Sequence, residues 1–373
     1  MMKKAFSWLP AAALTSASLV VGAIAVNFGA GIAFKSDDFQ RTHRNGIRVV
    51  EYVLHRRPDV YDEDSSIIPH PYLLYANRPG FSGMGFLQTD AAGYRIVPQP
   101  ARAPTERPQK ILALGGSTTF SYPYVADPAN AWPAQLQKIL GPGVEVINAG
   151  LSSATSAELL ASYIFRHRYL KPDIVIIDVG GNDVMAMMFD NYRADYSHFR
   201  AQGTRPIAGK LDRNILAWGG WPARMLYAQN WNEHTTVFSP MPFDLARISP
   251  AQALERAERA PTNGFERNLD LLVRTIVEDG ATPVLFGFTQ AREQLISRNR
   301  PDLKGRERAW VVGVERNLEI MKRIASERHL TYIDPHDFKP DDDWLLDNCH
   351  LNEAGEAAKA AFVARALSSL HKS

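Results

Sequence analysis

From about residue 110 onward, short apolar runs alternate along the chain with stretches of helical periodicity. The runs are KILAL (110–114), VEVIN (144–148), DIVIIDV (173–179), TPVLFGF (282–288) and LTYID (330–334). Helical patterns lie between or after them, including residues 131–140, 156–170, 313–329 and 353–370. Strands that are apolar on both faces are typical of a parallel sheet covered by helices on each side. The pattern therefore predicts an α/β fold, a three-layer α/β/α sandwich around a central parallel sheet.

The alternation lapses between about residues 184 and 260, which is too long for an ordinary connection. This stretch is rich in aromatic residues: Tyr192, Tyr196, Trp218, Trp221, Tyr227 and Trp231. One interpretation is an insertion with a small aromatic core of its own. A second is a lid or substrate platform, because loops at the carboxyl edge of such a sheet build its pocket.

Residues 36–109 precede the alternating pattern and differ from it in composition. Proline, glycine and aromatic residues are dense in PHPYLLYANRPGFSGMGF (69–86), and PQPARAPTERPQ (98–109) has four prolines in twelve residues. Such composition is typical of irregular chain. We expect three parts: an N-terminal segment (1–35), an irregular extension (36–109) and an α/β domain (110–373) with the insertion inside it.

The N-terminal segment carries Lys3 and Lys4 ahead of an uncharged run at residues 5–34. That run is longer than the roughly 20 residues of a spanning helix and than the apolar region of a signal peptide. We expect a signal-anchor, with a signal peptide cleaved near residues 23–25 as the alternative. Either device places the remainder outside the cytoplasm, because the lysines stay inside.

Composition and charge narrow the classes of partner. Lys and Arg total 42 against 40 Asp and Glu, a net charge of +2, so nothing in the balance favours nucleic-acid binding. The single cysteine, Cys349, excludes an intrachain disulfide. The expected partners are a small molecule or polysaccharide and a membrane reached through the N-terminal segment. No pattern identifies a protein partner.

Residues that could carry chemistry follow the predicted strands. Ser117 follows the first, Gly150 ends the second segment, Asn182 follows the third, and Asp347 and His350 follow the last. The carboxyl ends of parallel strands meet at one edge of the sheet, where ligands bind. We therefore expect these residues to converge.

Together they form a complete set for attack on an ester. A serine hydroxyl needs an adjacent base, which His350 supplies, and Asp347 can accept the other imidazole N–H to fix its tautomer. The oxyanion that forms needs donors in place beforehand. The backbone N–H groups of Ser117 and Gly150 and the side-chain amide of Asn182 are the candidates.

Each segment taken alone also has an ordinary interpretation, as a turn or a helix cap. A P-loop requires a lysine that is missing after Gly116, and no G-x-G-x-x-G is present. No His/Cys pairs stand at zinc spacing, so we expect no metal and no cofactor. Cys349 is expected to be a structural thiol, because the side chains of neighbouring residues point in different directions.

The segments GGST, NAG, GGND and DNCH resemble, in order, the four signature blocks of the SGNH/GDSL hydrolase family. The resemblance covers about residues 110–370 and implies a flavodoxin-like fold and a serine esterase that hydrolyses an acyl or acetyl ester. The family's Ser, Gly, Asn and His then correspond to Ser117, Gly150, Asn182 and His350. Gly116 departs from the family's GDS form, which has aspartate there.

The substrate class stays open between a carbohydrate and a lipid ester outside the cytoplasm. An acyltransferase using the same serine is the alternative activity, since a site that excludes water would favour transfer to a sugar hydroxyl. A non-catalytic binding module is the third interpretation, although it would be expected to have lost one of the site residues.

Overall fold

The computed structural model describes residues 9–43, 66–101, 107–200, 216–229 and 248–368, together with Ile47, Val50 and Leu245. The chain forms two compact units. The smaller contains residues 1–63 and 203–239, and the larger contains residues 64–202 and 240–373.

The strands all belong to the larger unit. They are β1 (Ile67–His70), β2 (Leu74–Asn77), β3 (Ser82–Gly83), β4 (Phe86–Leu87), β5 (Gln109–Gly115), β6 (Val144–Gly150), β7 (Ile174–Val179), β8 (Thr282–Gly287) and β9 (Thr331–Ile333). Strands β5 to β9 form one parallel sheet in the order β6-β5-β7-β8-β9. All five coincide with the apolar runs of the sequence, so the predicted central parallel sheet is confirmed.

Two helices precede the strands, and from β5 onward helices alternate with them. They are α1 (Leu9–Phe34), α2 (Asp37–Thr42), α3 (Ser117–Phe120), α4 (Trp132–Leu140), α5 (Ser156–Phe165), α6 (Gly181–Met188), α7 (Gly220–Gln229), α8 (Pro250–Arg259), α9 (Asn263–Glu278), α10 (Glu307–Glu327) and α11 (Glu353–Ser368). Helices α4 and α11 pack together on one side of the sheet. Helices α5, α9 and α10 cover the other side, and α8 packs on α10. The predicted three-layer α/β/α sandwich is therefore confirmed.

Alternate side chains of the strands supply the two cores. Ile111, Val146 and Phe286 point to one face and pack with Trp132 of α4 and Val363 of α11. Their immediate neighbours along the strands, such as Leu112, Val175 and Leu285, are fully buried as well. Burial on both faces is why these strands read as continuous apolar runs rather than as alternating ones.

The extension contains more regular structure than the sequence predicted. In its described residues β1 pairs with β2 and β3 pairs with β4, both antiparallel. Arg95 is fully buried, donates to Gln88 Oε1 and to the carbonyl oxygen of Val125, and bridges to Asn148 at the end of β6. This part of the extension therefore packs onto the sheet domain, with Arg95 as its buried polar attachment.

The aromatic-rich insertion is divided between the two units, which differs from its interpretation as one body with its own core. Tyr196 belongs to the larger unit, where its hydroxyl donates to Asp183 Oδ1 at 2.8 Å. Burial raises the pKa of Asp183 to about 6, against the opposing effect of hydrogen bonds from Ser156 and Tyr196. Residues 201–215 and most of 230–247, with Trp231, lie outside the described residues.

In the smaller unit, α7 packs along α1. The rings of Phe34 and Trp221 lie 5.3 Å apart, and the side-chain oxygen of Asn27 accepts from the Trp221 backbone N–H at 2.8 Å. Phe39 of α2 completes this small core. Within the described residues, which begin at residue 9, we find no helix with the length and apolar character needed to cross a membrane.

Candidate active site

Ser117 stands at the start of α3, directly after β5 and the pair Gly115–Gly116. Helix α3 is a single turn that ends at Phe120, and the next residue, Ser121, has a left-handed φ of 62°. The strand therefore delivers Ser117 to the carboxyl edge of the sheet, and the short helix turns the chain away again. This position is the one that the sequence predicted.

Asp347 and His350 lie in a hairpin between β9 and α11. The Leu346 backbone N–H donates to the carbonyl oxygen of His350 at 2.8 Å, and Leu345 bridges to Leu351. His350 Nδ1 lies 2.8 Å from Asp347 Oδ2, and His350 Nε2 lies 2.8 Å from Ser117 Oγ. The structure thus brings the three predicted residues into one hydrogen-bonded chain. When the Nδ1–H of His350 donates to the ionised Asp347, Nε2 is left unprotonated and can accept the serine proton.

The Asp347 carboxylate is held in its ionised form. Burial would raise its pKa, but the hydrogen bond and charge of His350, with the backbone N–H groups of Cys349 and His350, outweigh this and lower the pKa to about 2. The two N–H groups reach Asp347 Oδ1 at 2.9 and 2.8 Å. A carboxylate fixed in this way stays charged at any pH where His350 can act as a base.

Two further side chains touch the imidazole. Tyr124 stacks flat on His350, with 3.6 Å between ring centroids and 10° between planes. Burial and the nearby charge of Asp347 raise the pKa of Tyr124, so its phenol stays neutral. The ring of Tyr124 therefore restricts His350 to its present plane. The sequence analysis missed this residue, because nothing in its spacing distinguishes it from other aromatic residues.

Cys349 is buried, as the sequence predicted, but it does not point away from the site. Its Sγ lies 3.5 Å from His350 Nδ1. Burial and the charge of Asp347 raise the pKa of this thiol well above its usual value, so it stays protonated. A protonated thiol is a poor nucleophile, and His350 Nδ1 is already bonded to Asp347.

Asn182, at the start of α6, lies against the residue before Ser117. Its Nδ2 donates to the carbonyl oxygen of Ala154 at 2.8 Å. A β-carbon placed on Gly116 would lie 2.8 Å from Asn182 Nδ2. The amide is therefore anchored by one of its hydrogens and kept close to Ser117. Glycine at position 116, where the GDS form has aspartate, leaves space for it.

Gly150 has a structural requirement besides the predicted oxyanion role. Its backbone N–H donates to Asn148 Oδ1 at 3.0 Å in this structure. A β-carbon here would lie 2.2 Å from the backbone nitrogen of Phe120. Glycine is needed at this position because α3 crosses directly over the end of β6. Sequence reasoning could not separate the two explanations, since each requires only a glycine.

A buried ionic cluster lies beneath Ser117. Lys359 Nζ contacts Asp178 Oδ2 at 2.8 Å, and both side chains are almost completely buried. The hydroxyls of Thr118 and Thr119 donate to the same carboxylate oxygen at 3.2 and 3.0 Å. The turn that carries Ser117 is therefore fixed from below by side chains of β7 and α11. One signal was present in the sequence, since an aspartate inside a buried strand requires a partner.

Glu356 fixes the other end of the same turn. Its Oε2 accepts from Ser121 Oγ at 2.9 Å and from the backbone N–H of Trp132 at 2.6 Å. Burial raises the pKa of Glu356 to about 7, against the opposing influence of Lys359 and these hydrogen bonds. Glu356 and Lys359 lie one helical turn apart on α11, so one face of this helix supports the whole of α3.

Asp347, Cys349 and His350 are also residue types that bind metals. Among the described residues, the donor atoms of Asp347, Cys349 and His350 lie within 4.8 Å of one another. Both ring nitrogens of His350 already have partners in Asp347 and Ser117, and the thiol is protonated. A metal at this point would need the hydrogen-bonded chain to be broken, so the donor set fits proton transfer better than ligation.

Comparison with known proteins agrees with the resemblance seen in the sequence. Residues 113–358 match the model of the GDSL-like lipase/acylhydrolase family. A comparison with curated protein sequences found no match.

Among solved structures, similar chains include a putative lipolytic protein of the G-D-S-L family from Desulfitobacterium hafniense DCB-2, with 17% identity and a TM-score of 0.38 over 69% of this chain and 99% of that one. TesA matches with 18% identity and a TM-score of 0.40, over 70% of this chain and 99% of TesA. A catalytic mutant of Axe2, an acetylxylan esterase from Geobacillus stearothermophilus, matches with 16% identity and a TM-score of 0.41 over 71% and 96%.

The family assignment rests on the sequence match, which spans well over half of the chain and contains Ser117, Asn182, Asp347 and His350. The chain belongs to the GDSL-like lipase/acylhydrolase family and is a serine esterase of that family.

Proposed function

We propose that the protein hydrolyses an acyl ester through a covalent acyl-enzyme on Ser117. The observation that carries this proposal is the 2.8 Å contact between Ser117 Oγ and His350 Nε2, with Asp347 on the opposite nitrogen. Nucleophile, base and orienting group within hydrogen-bond distance are the arrangement that covalent acyl transfer requires.

The first half of the reaction forms the acyl-enzyme. Ser117 Oγ attacks the ester carbonyl carbon while its proton passes to His350 Nε2. The imidazolium that results is stabilised by the charge of Asp347. His350 then returns the proton to the leaving alkoxide, so that the alcohol departs and the acyl group stays on Ser117. In the second half, His350 deprotonates a water that attacks the acyl carbon, and Ser117 Oγ leaves and is reprotonated.

The negative oxygen of each tetrahedral intermediate needs donors. The backbone N–H of Ser117, at the N-terminus of α3, and the free amide hydrogen of Asn182 are the proposed pair. The first belongs to the nucleophile itself, and the second is held beside Gly116 by its bond to Ala154. Removal of one such donor typically lowers kcat by about 10²–10³-fold.

For the substrate, we propose an acyl ester, with acetyl as the simplest case, carried by a carbohydrate or a lipid outside the cytoplasm. The location is supported by the charge pattern of residues 1–35, with Lys3 and Lys4 ahead of an uncharged run. Protease treatment of intact cells tests it. Digestion of residues 36 onward would support export, and full protection would contradict it.

A fluorophosphonate probe tests the catalytic proposal. Incubation of the purified full-length protein should give an adduct that mass spectrometry locates on Ser117. Labelling should be lost in Ser117→Ala and reduced at least 10³-fold in His350→Ala, because the residual rate lacks the base. Labelling of the two variants at the wild-type rate would contradict the assignment of roles.

Product analysis then separates hydrolysis from acyl transfer, which uses the same acyl-enzyme. Release of free acid that is unaffected by an added acceptor alcohol supports hydrolysis. Suppression of free acid, with appearance of the new ester, would identify a transferase instead.

A further inference from the structure

A cavity of about 970 Å³ lies at the carboxyl ends of β8 and β9, beside the first half of α10. Three aromatic side chains and three polar ones characterise its lining: Phe288, Phe338, Trp344, Gln290, Glu315 and His336. Its size is that of a pocket for a drug-sized ligand, and far exceeds what a single acetyl group requires.

The cavity shares structure with the hairpin that carries Asp347 and His350. Leu345 forms part of the cavity wall and also pairs with Leu351, the residue after His350. It stands two residues before Asp347, so their Cα atoms are at most ~7 Å apart. On the other wall, the backbone N–H of Ala291 donates to the carbonyl oxygen of Asn348 at 2.8 Å. A ligand in the cavity would therefore lie next to the catalytic hairpin.

The polar side chains of the cavity are held in place. His336 Nδ1 lies 2.8 Å from Asp334 Oδ1, and His336 Nε2 lies 3.2 Å from Glu315 Oε2. Gln290 Nε2 donates to the same Glu315 carboxylate at 3.1 Å. Gln290, Glu315 and His336 therefore form a connected row of hydrogen-bonding groups in the same lining as the aromatic side chains.

The charge of the lining selects against two kinds of ligand. It contains five carboxylates, Glu293, Glu315, Asp341, Asp342 and Asp343, against two permanent cations, Arg292 and Lys339. Arg292 pairs with Asp342, and Arg308, outside the lining, pairs with Glu293, so that Glu315, Asp341 and Asp343 remain against Lys339. An anionic ligand would be repelled by this remaining excess. A long acyl chain would remove these three carboxylates from water while offering them no hydrogen-bond donor, which costs free energy. A neutral polyol instead offers hydroxyl donors to the carboxylates and apolar ring faces to the aromatic side chains.

We propose that this cavity binds the sugar portion of the substrate, so that the ester cleaved at Ser117 is carried by a neutral oligosaccharide. The inference rests on the proposed function and commits it to one class of alcohol. The carboxylates and the Gln290 amide position the sugar hydroxyls, and Trp344, on the catalytic hairpin, packs against a sugar ring.

Kinetics on two classes of acetyl ester test the proposal. In the wild-type protein, kcat/KM should rise with ring number for acetylated cello-oligosaccharides of one to six rings, and exceed that for ethyl acetate. In Glu315→Gln and His336→Gln, the ratio of kcat/KM for the longest oligosaccharide to that for ethyl acetate should fall at least tenfold. The change should lie mainly in KM, because binding rather than chemistry is affected.

Glu319→Gln is the matched control. It is the same substitution on the same helix, one turn further along, on an exposed side chain that does not line the cavity. Its ratio should equal that of the wild type. Circular dichroism and melting temperature check that each variant is folded.

The outcomes separate this inference from the proposed function. A ratio that is unchanged in both cavity variants, or no dependence on ring number, would overturn the sugar site while leaving the esterase intact. Preference for a long-chain acyl ester of glycerol, weakened by the same substitutions, would overturn it in favour of a lipid. Absence of turnover on every ester, without fluorophosphonate labelling, would instead count against the proposed function itself.

Discussion

Lys359 Nζ and Asp178 Oδ2 form an ion pair of 2.8 Å in which neither side chain is more than 2% exposed. The aspartate also accepts from the hydroxyls of Thr118 and Thr119, the two residues after Ser117. The pair therefore links β7 and α11 to the turn that carries the nucleophile.

Replacement of the cation should destabilise the fold strongly. Lys359→Met leaves a buried carboxylate without its partner, and we expect the free energy of unfolding to fall by about 3–5 kcal/mol. The double variant Lys359→Met/Asp178→Asn should lose less than this, because no buried charge remains. Urea denaturation of the three proteins measures the difference. An equal or larger loss in the double variant would show that the threonine contacts, and not the charge, dominate.

Gly116→Ala should reduce activity with little effect on stability. The new methyl group would come within 2.8 Å of Asn182 Nδ2, the end of a flexible side chain that can move aside. Displacement of this proposed oxyanion donor should lower kcat by ~10²-fold, near the loss expected when such a donor is removed. Steady-state kinetics and a melting curve test both parts. Wild-type kcat would contradict the placement of Asn182 in the oxyanion site.

Gly150→Ala should reduce stability more than activity, in contrast to Gly116→Ala, because the atoms that the new methyl group would meet belong to the backbone. Its β-carbon would lie 2.2 Å from the nitrogen of Phe120, and neither β6 nor α3 can move aside locally. We expect a loss of about 1–3 kcal/mol of stability, the usual cost of overpacking. Any activity should survive in proportion to the folded fraction. A fully stable but inactive variant would instead favour the catalytic role that the sequence suggested.

The raised pKa of Glu356 predicts a stability that depends on pH. The folded protein keeps the proton to about pH 7, whereas the unfolded chain releases it near 4.5. The folded state therefore binds more protons between these values. The contribution of Glu356 to the free energy of unfolding should be fully present below about pH 4.5. It should fall by about 3 kcal/mol as the pH rises through 7.

Glu356→Gln isolates this contribution. The amide oxygen can still accept from Ser121 and Trp132, but it does not titrate. Subtraction of its unfolding free energy from that of the wild type, measured from pH 4 to pH 8, should reveal the predicted fall. A difference that is constant over this range would mean that Glu356 titrates as it does in the unfolded chain.

The sheet, and the position of the candidate active-site residues at its edge, were predictable because each depends on local sequence. Strands such as β7 are apolar on both faces, and the positions of Ser117 and His350 after their strands follow from the chain order alone. Pairing across the layers was not predictable. The sequence shows Asp178 and Lys359 as separate charges 181 residues apart, and only the packing of α11 on the sheet makes them neighbours.

Glycines and aromatic residues were the least predictable part of the site. Gly150 and Gly116 read alike in sequence, yet one is required by a crossing backbone and the other leaves space for an amide. Tyr124 covers His350 because the chain after α3 returns over the hairpin, a path that no local pattern specifies. No local pattern showed that the insertion is divided between the two units either. Tyr196 bonds to Asp183 in the larger unit, and Trp221 packs on Phe34 in the smaller one.

The Asp347 carboxylate shapes the backbone of its own loop as well as orienting His350. Its Oδ1 accepts from the backbone N–H groups of Cys349 and His350, and the same group orients the imidazole. Residues 347–350 thus contain both the proposed base and the hydrogen bonds that shape their own turn. Glutamate at 347 would therefore be expected to alter the loop and the orientation of the imidazole together.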